Sequence, residues 1–319
     1  MKRILVVRND RLGEFLLTIP AFNALKEYYA DAQISVVVNP YLSELATAVD
    51  SLDTIFCWKN KKHTLRQIIT FSRQLRKEKF DLCVIFNPTK EFNIISFLAG
   101  IPIRVGYKRK WPFLLTHTML DKKDRALKHE VESNLELLKS LDIISYKQEF
   151  SLQTSDTCLK DILAPLDLHE SDILIGLHPW TSDVVKAWPL ENFQELSRLL
   201  LGRAHTKVVI LGGKEEANRS SQAFHNSAAL IDLTGKTSLL QLAALIKRCN
   251  ILVSADSGPV HVAACTKTAT IALFRNDLNG KTALRWGPKA PKSKVLEAAD
   301  LSRIQPATVL QEIERIVSP

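Results

Sequence analysis

Glycine is scarce in this chain, at 11 of 319 residues, and aromatic residues make up only 7%. The few glycines never assemble GxGxxG or GxxxxGK[ST], so neither a dinucleotide fingerprint nor a P-loop is supported. GxSxG is also missing, which removes an α/β-hydrolase reading. The five cysteines (57, 83, 158, 249 and 265) are odd in number and form no CxxC pair. That excludes a disulfide framework or structural zinc site and points to a reducing compartment. The eight histidines show no HExxH or similar spacing, so no bound metal is expected. No run approaches the ~18 apolar residues of a spanning helix. The stretch Ile4–Val7, broken by Arg8-Asn9-Asp10-Arg11, is too short for a secretory signal. A cytoplasmic protein is expected.

What is present is apolar material in quantity, 46% of residues, enough for packed cores at two domains of ordinary size. The net charge of +9 is uneven: residues 1–160 hold 25 Lys+Arg against 18 Asp+Glu, and the rest hold 18 against 16. The excess gathers at Lys59 with Lys61 and Lys62, at Lys108-Arg109-Lys110, and at Lys122-Lys123 with Arg125 and Lys128. Each cluster alone is most simply a solvated face. Three in one half suggest an anionic partner for that half. Nucleic acid is not expected, because aromatics are sparse and no nucleic-acid motif accompanies the clusters.

Short β-branched runs alternate with longer amphipathic segments. The runs are Ile4–Val7, Ile34–Val38, Thr54–Cys57, Leu82–Phe86, Ile173–Leu177, Val208–Leu211, Ile251–Val253 and Thr270–Phe274. Continuous apolar runs of this length are what parallel strands buried on both faces require. Helical periodicity falls near Glu14–Tyr29, Leu65–Lys79, His129–Leu141, Asn192–Leu201, Glu215–Asn226, Leu239–Lys247 and Pro306–Val317. The alternation occurs twice and predicts an α/β protein of two Rossmann-like domains, residues 1–160 and 161–319. Two such halves are expected to face a cleft, with ligands at the carboxyl ends of the strands.

Three loops that follow strands carry candidate chemistry. The first, Arg8-Asn9-Asp10-Arg11-Leu12-Gly13-Glu14, offers Glu14 as a carboxylate at a helix start. Read alone, Glu14 is more simply an acid complementing a helix dipole. The second runs from His178 to Pro189, where Thr181, Ser182 and Lys186 have the types that hold a diphosphate. Trp188 in the same loop reads as packing. The third, Ser254-Ala255-Asp256-Ser257-Gly258-Pro259-Val260-His261, opens a helix whose free amides suit an anion. Asp256 there would accept from sugar hydroxyls, and His261 alone reads as a packed residue. After Gly212-Gly213, Glu215 or Glu216 has the chemistry to bind a ribose, or is only the polar start of a helix.

Together, Arg8–Glu14 with Thr18-Ile19-Pro20-Ala21, the segment Lys186–Phe193 and the segment Asp256–Ala264 resemble the ADP-heptose:lipopolysaccharide heptosyltransferases, glycosyltransferase family 9. The resemblance implies a GT-B architecture, with the donor held by the C-terminal domain, the acceptor by the N-terminal domain, and the last helix packing back on the first domain. It implies inverting transfer of heptose from ADP-heptose to the lipopolysaccharide inner core, without an essential metal, at the inner face of the cytoplasmic membrane. Glu14 stands where the family has a catalytic aspartate, and Lys186 where a lysine offsets charge on the departing diphosphate. Thr181, Ser182, Glu215, Asp256, Ser257, Gly258 and His261 are then donor-binding. Asp10, Arg11, Lys108, Arg109 and Lys110 are acceptor-binding. Two alternatives stay open: the same fold using another nucleotide sugar, and a non-catalytic nucleotide-sugar or glycan-binding protein.

Overall fold

The computed structural model describes residues 1–144, 147–150, 152–155 and 159–317. Cys158 and part of the polar stretch before Ser171 lie outside the described residues. The chain divides into two compact units, Met1–Gln153 and Thr154–Pro319.

The first unit holds strands β1 (Arg3–Val7), β2 (Gln33–Val38), β3 (Thr54–Cys57), β4 (Leu82–Ile85), β5 (Ile103–Tyr107) and β6 (His117–Met119). They form one parallel sheet in the order β3-β2-β1-β4-β5-β6. The second unit holds β7 (Ile173–His178), β8 (Thr206–Ile210), β9 (Leu230–Asp232), β10 (Ile251–Ala255), β11 (Ala269–Arg275) and β12 (Lys294–Ala298). Its order is β12-β11-β10-β7-β8-β9, again all parallel. Numbered within each unit, both sheets read 3-2-1-4-5-6, the doubly wound order in which ligands bind beyond the strands' carboxyl ends.

Apart from Arg3 at the start of β1, the central strands β1, β4 and β10 are buried along their length, as their Val, Ile and Leu content predicts. Apart from β5, the strands without a legible signal are peripheral or short. β6 and β12 form sheet edges and are mostly exposed or half-exposed, so no continuous apolar run marks them. β9 has three residues. The segment Glu14–Tyr29 is two helices, Leu12–Leu16 and Ile19–Tyr28, because Pro20 fits only the first turn of a new helix. Several helix starts are written in local chemistry: Thr64 with Gln67 and Ser238 with Gln241 form capping boxes, and Thr89 caps the helix Lys90–Leu98.

In the second unit Trp188 is fully buried, donates from Nε1 to the Ile304 carbonyl at 2.9 Å and meets Phe193 edge to face. The last helix, Pro306–Val317, turns Val309, Leu310 and Ile313 onto the helix Leu190–Leu201 and the strands β10 and β11 of its own unit. Cys57, Cys83, Cys249 and Cys265 are all free thiols, the last three buried. No helix of the described residues is long and apolar enough to cross a membrane.

Candidate active site

In the first unit the loop after β1 is organised by a buried cation. Arg8 is 2% exposed and spends its guanidinium inward. It donates from Nε to the Glu14 carbonyl (3.1 Å), from Nη1 to the Phe86 carbonyl (3.0 Å) and from Nη2 to Glu130 Oε1 (3.3 Å). Asp10 Oδ1 lies 3.3 Å from the same Nε. Burial works against this charge, but the carboxylates of Asp10, Glu130 and Glu14 outweigh it and hold the arginine protonated. The half-buried Glu14 is pushed above the usual carboxylate range, first by burial and then by neighbouring Asp10, with Arg8 opposing. That is the tuning a general base needs: a carboxylate that binds a proton more tightly than one in water.

The basic clusters expected to meet an anion divide on inspection. Lys108 and Lys110 are exposed with no ion-pair partner among the described residues, whereas Arg109 pairs with Asp121 at 2.7 Å. Lys123, read in sequence as part of a basic face, is instead turned inward onto Glu130. Lys128 pairs with Glu136. Arg11 is exposed.

In the second unit the loops after β7 and β10 meet. The Lys186 ammonium pairs with the Asp256 carboxylate. Burial raises the Asp256 pKa, and Lys186 offsets part of that rise. Asp183 in the same loop binds Lys281 at 2.7 Å, which holds it below its ordinary range, and Arg275 reaches the Val185 carbonyl at 3.1 Å. Thr181 donates its hydroxyl to the Asp183 carbonyl (2.8 Å), and Ser182 is exposed. Ser257 lies with its hydroxyl 2.8 Å from that of Ser254 and 3.1 Å from His178 Nδ1. Burial drives the His178 pKa down to about 4, so this cluster is neutral. Gly258 opens the helix Gly258–Thr266, and His261 is buried in its first turn, its ring 6.3 Å from that of Trp286. Glu215 is exposed in the turn Lys214–Glu216. The glycine before that turn is explained by packing: a Cβ on Gly212 would stand 2.5 Å from the Trp180 ring. Trp180 Nε1 is buried with no hydrogen-bond partner among the described residues, a donor left over at the carboxyl end of β7.

Sequence reasoning missed Glu130, Lys123 and Asn134 in the first unit, and His178, Arg275 and Lys281 in the second. His178 closes a strand already singled out, and a histidine inside an apolar run was an available signal. Nothing in a basic cluster marks which lysine turns inward. Among the described residues no group of three or more His, Cys, Asp or Glu is placed to hold a metal ion.

Two Rossmann-like units, each with its polar residues at the carboxyl ends of a 3-2-1-4-5-6 sheet, define the GT-B class of transferase. Residues 68–306 match the profile described as glycosyltransferase family 9 (heptosyltransferase), and the chain belongs to that family of glycosyltransferases. Among curated relatives, lipopolysaccharide heptosyltransferase 3 of Escherichia coli K12 is 24% identical over 282 residues, 82% of this chain and 79% of the relative. Among solved structures, a family 9 glycosyl transferase from Veillonella parvula superposes with a TM-score of 0.88 at 23% identity, covering 99% of this chain and 97% of that one. The ADP-heptose lps heptosyltransferase II of E. coli gives 0.85 at 22%, covering 99% and 98%.

Proposed function

We infer that this enzyme transfers heptose from ADP-heptose to an inner-core sugar of lipopolysaccharide, with inversion at the anomeric carbon. The observation that carries the reading is the Lys186–Asp256 pair beside the start of the helix Gly258–Thr266, where the Gly258 N–H has no intrahelical partner. A cation and a free amide together answer the charge of a departing diphosphate. Relatives named for ADP-heptose and lipopolysaccharide support the donor and acceptor classes.

In this reading Glu14 takes the proton of the acceptor hydroxyl as its oxygen bonds to the anomeric carbon. The bond from that carbon to the diphosphate breaks, and ADP leaves with the electron pair. Lys186, Ser182, Thr181 and the Gly258 amide meet the growing charge, and no step calls on a metal. Asp256, Ser257 and His261 belong with the sugar and diphosphate, and Glu215 with the ribose. Glutamate reaches one methylene further than the family's aspartate, so the acceptor hydroxyl is expected to sit correspondingly further from the loop backbone. Asp10, Arg11, Lys108, Arg109 and Lys110 address the acceptor's carboxylates and phosphates.

Contact with the inner face of the cytoplasmic membrane is part of the same proposal. It is supported by the exposed, stacked Trp111 and Phe113, whose turn carries Lys110 and Trp111 at positive φ and is held by Asn93. Aromatic rings with the Lys90 ammonium 5.5 Å from Trp111 and with Lys110 next in the chain suit an anionic lipid surface.

The test is donor consumption with ADP-heptose set against UDP- and GDP-sugars, repeated with Glu14→Gln. ADP-heptose alone is expected to be consumed. Glu14→Gln is expected to lose at least roughly 10²-fold in turnover while calorimetric ADP affinity persists. Full turnover by the variant would remove the base assignment, and preference for another nucleotide sugar would remove the donor.

A further inference from the structure

The carbonyl oxygen of Glu14 accepts two side-chain hydrogen bonds, one from Arg8 Nε at 3.1 Å and one from Thr18 Oγ1 at 2.7 Å. Each donor is itself held from behind. Arg8 binds Glu130 through Nη2, and Thr18 Oγ1 accepts from Asn134 Nδ2 at 3.2 Å. Both chains end on one atom. The Lys123 ammonium donates to Glu130 Oε1 at 2.5 Å and to Asn134 Oδ1 at 2.9 Å. The six residues Lys123, Glu130, Arg8, Glu14, Thr18 and Asn134 therefore form a closed hydrogen-bonded ring. Four of them (Arg8, Thr18, Glu130 and Asn134) are at most 2% exposed.

Such a ring is costly unless it has a task. Lys123 and Arg8 are two buried cations with Glu130 in common, and an apolar set of similar shape would pack there without the desolvation. What the ring supplies is geometry. Along one arm every group donates towards Glu14, Lys123 to Asn134 to Thr18 to the carbonyl, so each bond polarises the next. Along the other, charge fixes Arg8 between Glu130 and Asp10. The peptide from which the Glu14 carboxylate projects is thereby held from two sides.

We propose that Lys123 is a positioning residue for the transfer reaction: its ammonium closes the ring that fixes the Glu14 peptide and so sets where the carboxylate stands. This rests on the reading of Glu14 as the base. The groups facing Lys123 are Glu130 from the helix Glu130–Leu137, Arg8 from the first loop, Asp121 two residues before it, and the Tyr107 ring of β5 at 4.7 Å. Burial is the largest influence and outweighs Glu130, bringing the Lys123 pKa down to about 8. The ring therefore loses its second cation as pH rises through that value, and Arg8 is then its one positive charge. Turnover acquires an alkaline limb there.

The experiment compares wild type, Lys123→Met, Lys123→Arg and Glu14→Gln in kcat, KM for each substrate and pH profile, with crystal structures of the Lys123 variants. Lys123→Met is expected to lower kcat by on the order of 10- to 10²-fold, the scale of an ångström's misplacement, with little change in either KM. Its structure should show Arg8 or Thr18 withdrawn from the Glu14 carbonyl. Lys123→Arg stays charged and is expected to restore most of kcat and to lose the limb near pH 8. Wild-type kcat in Lys123→Met, an unchanged Glu14 carbonyl in its crystal, or a limb near pH 8 that persists in Lys123→Arg would each overturn the proposal. A change confined to acceptor KM would overturn it too, making Lys123 an acceptor contact. If Glu14→Gln is inactive while Lys123→Met is not, only the ring's role fails. If Glu14→Gln is fully active, the base assignment fails and the ring's role falls with it.

Discussion

Glu14 and His178 are titratable groups displaced in opposite senses by the same cause. Burial raises the Glu14 carboxyl and lowers the His178 imidazole, because in both it disfavours the charged form. As the proposed base, Glu14 must be ionised to accept a proton, so turnover is expected to fall on acidification at a pH above that of an ordinary glutamate. A pH profile of kcat/KM that stays flat down to pH 4.5 would contradict this. For stability, His178 stays neutral in the fold until about pH 4, while the unfolded chain takes up its proton near pH 6.5. Stability is thus lost between those values, by roughly 3 kcal/mol at most. Thermal unfolding across pH 4–7 should show a shallower acid decline in His178→Asn than in wild type. Of these two the sequence exposed only Glu14 as a candidate, and the tuning of neither. Glu14, Lys186 and Asp256 are polar residues in loops after strands, which periodicity locates. Asp10 stands only four positions from Glu14, but how deeply that loop is buried, and whether Asp256 is paired with Lys186 across 70 positions, is set by the folded chain and not by a local pattern.

At the scale of the element, the clear signals were those with a physical period. Strands buried on both faces write a continuous apolar run, and β1, β2, β4, β7, β10 and β11 were legible on that ground. β5 was hidden by Arg104, whose guanidinium leaves the strand to donate to the carbonyls of Leu114 and Ile101. The glycine pair after β8 shows how one sequence feature admits two meanings. Ahead of Glu215 and Glu216 the pair reads as the lead-in to a ribose contact or to a plain helix start, but the Gly212 backbone lies where Trp180 and Thr234 leave no room for a Cβ. Gly212→Ala is therefore expected to cost on the order of 1–3 kcal/mol by overpacking. Gly202→Ala, whose Cβ would meet nothing closer than 3.4 Å, should fall within about 0.5 kcal/mol of wild type. Urea titration distinguishes the two. Equal midpoints would mean that the Trp180 ring yields without strain.

For the whole chain, the charge asymmetry read from composition gains a finer address. Lys108, Lys110 and Lys122 are exposed and without ion-pair partners among the described residues, while Arg109, Lys123 and Lys128 are already engaged by carboxylates. Acceptor KM should accordingly rise as salt goes from about 50 to 500 mM, where the screening length shrinks well below 10 Å. ADP affinity, to which the partly buried Lys186 is proposed to contribute, should change less, and equal slopes would refute this division. The doubling of the strand order was legible from the repeated alternation, and it has an evolutionary corollary. Glu14 follows the first strand of one sheet and Lys186 the first strand of the other, on frames built to the same plan. If, as proposed, one frame holds the acceptor and the other the donor, mutations that retrain one rim for a new sugar need not disturb the other. Such a lineage is free to diversify what it decorates while keeping the same activated currency.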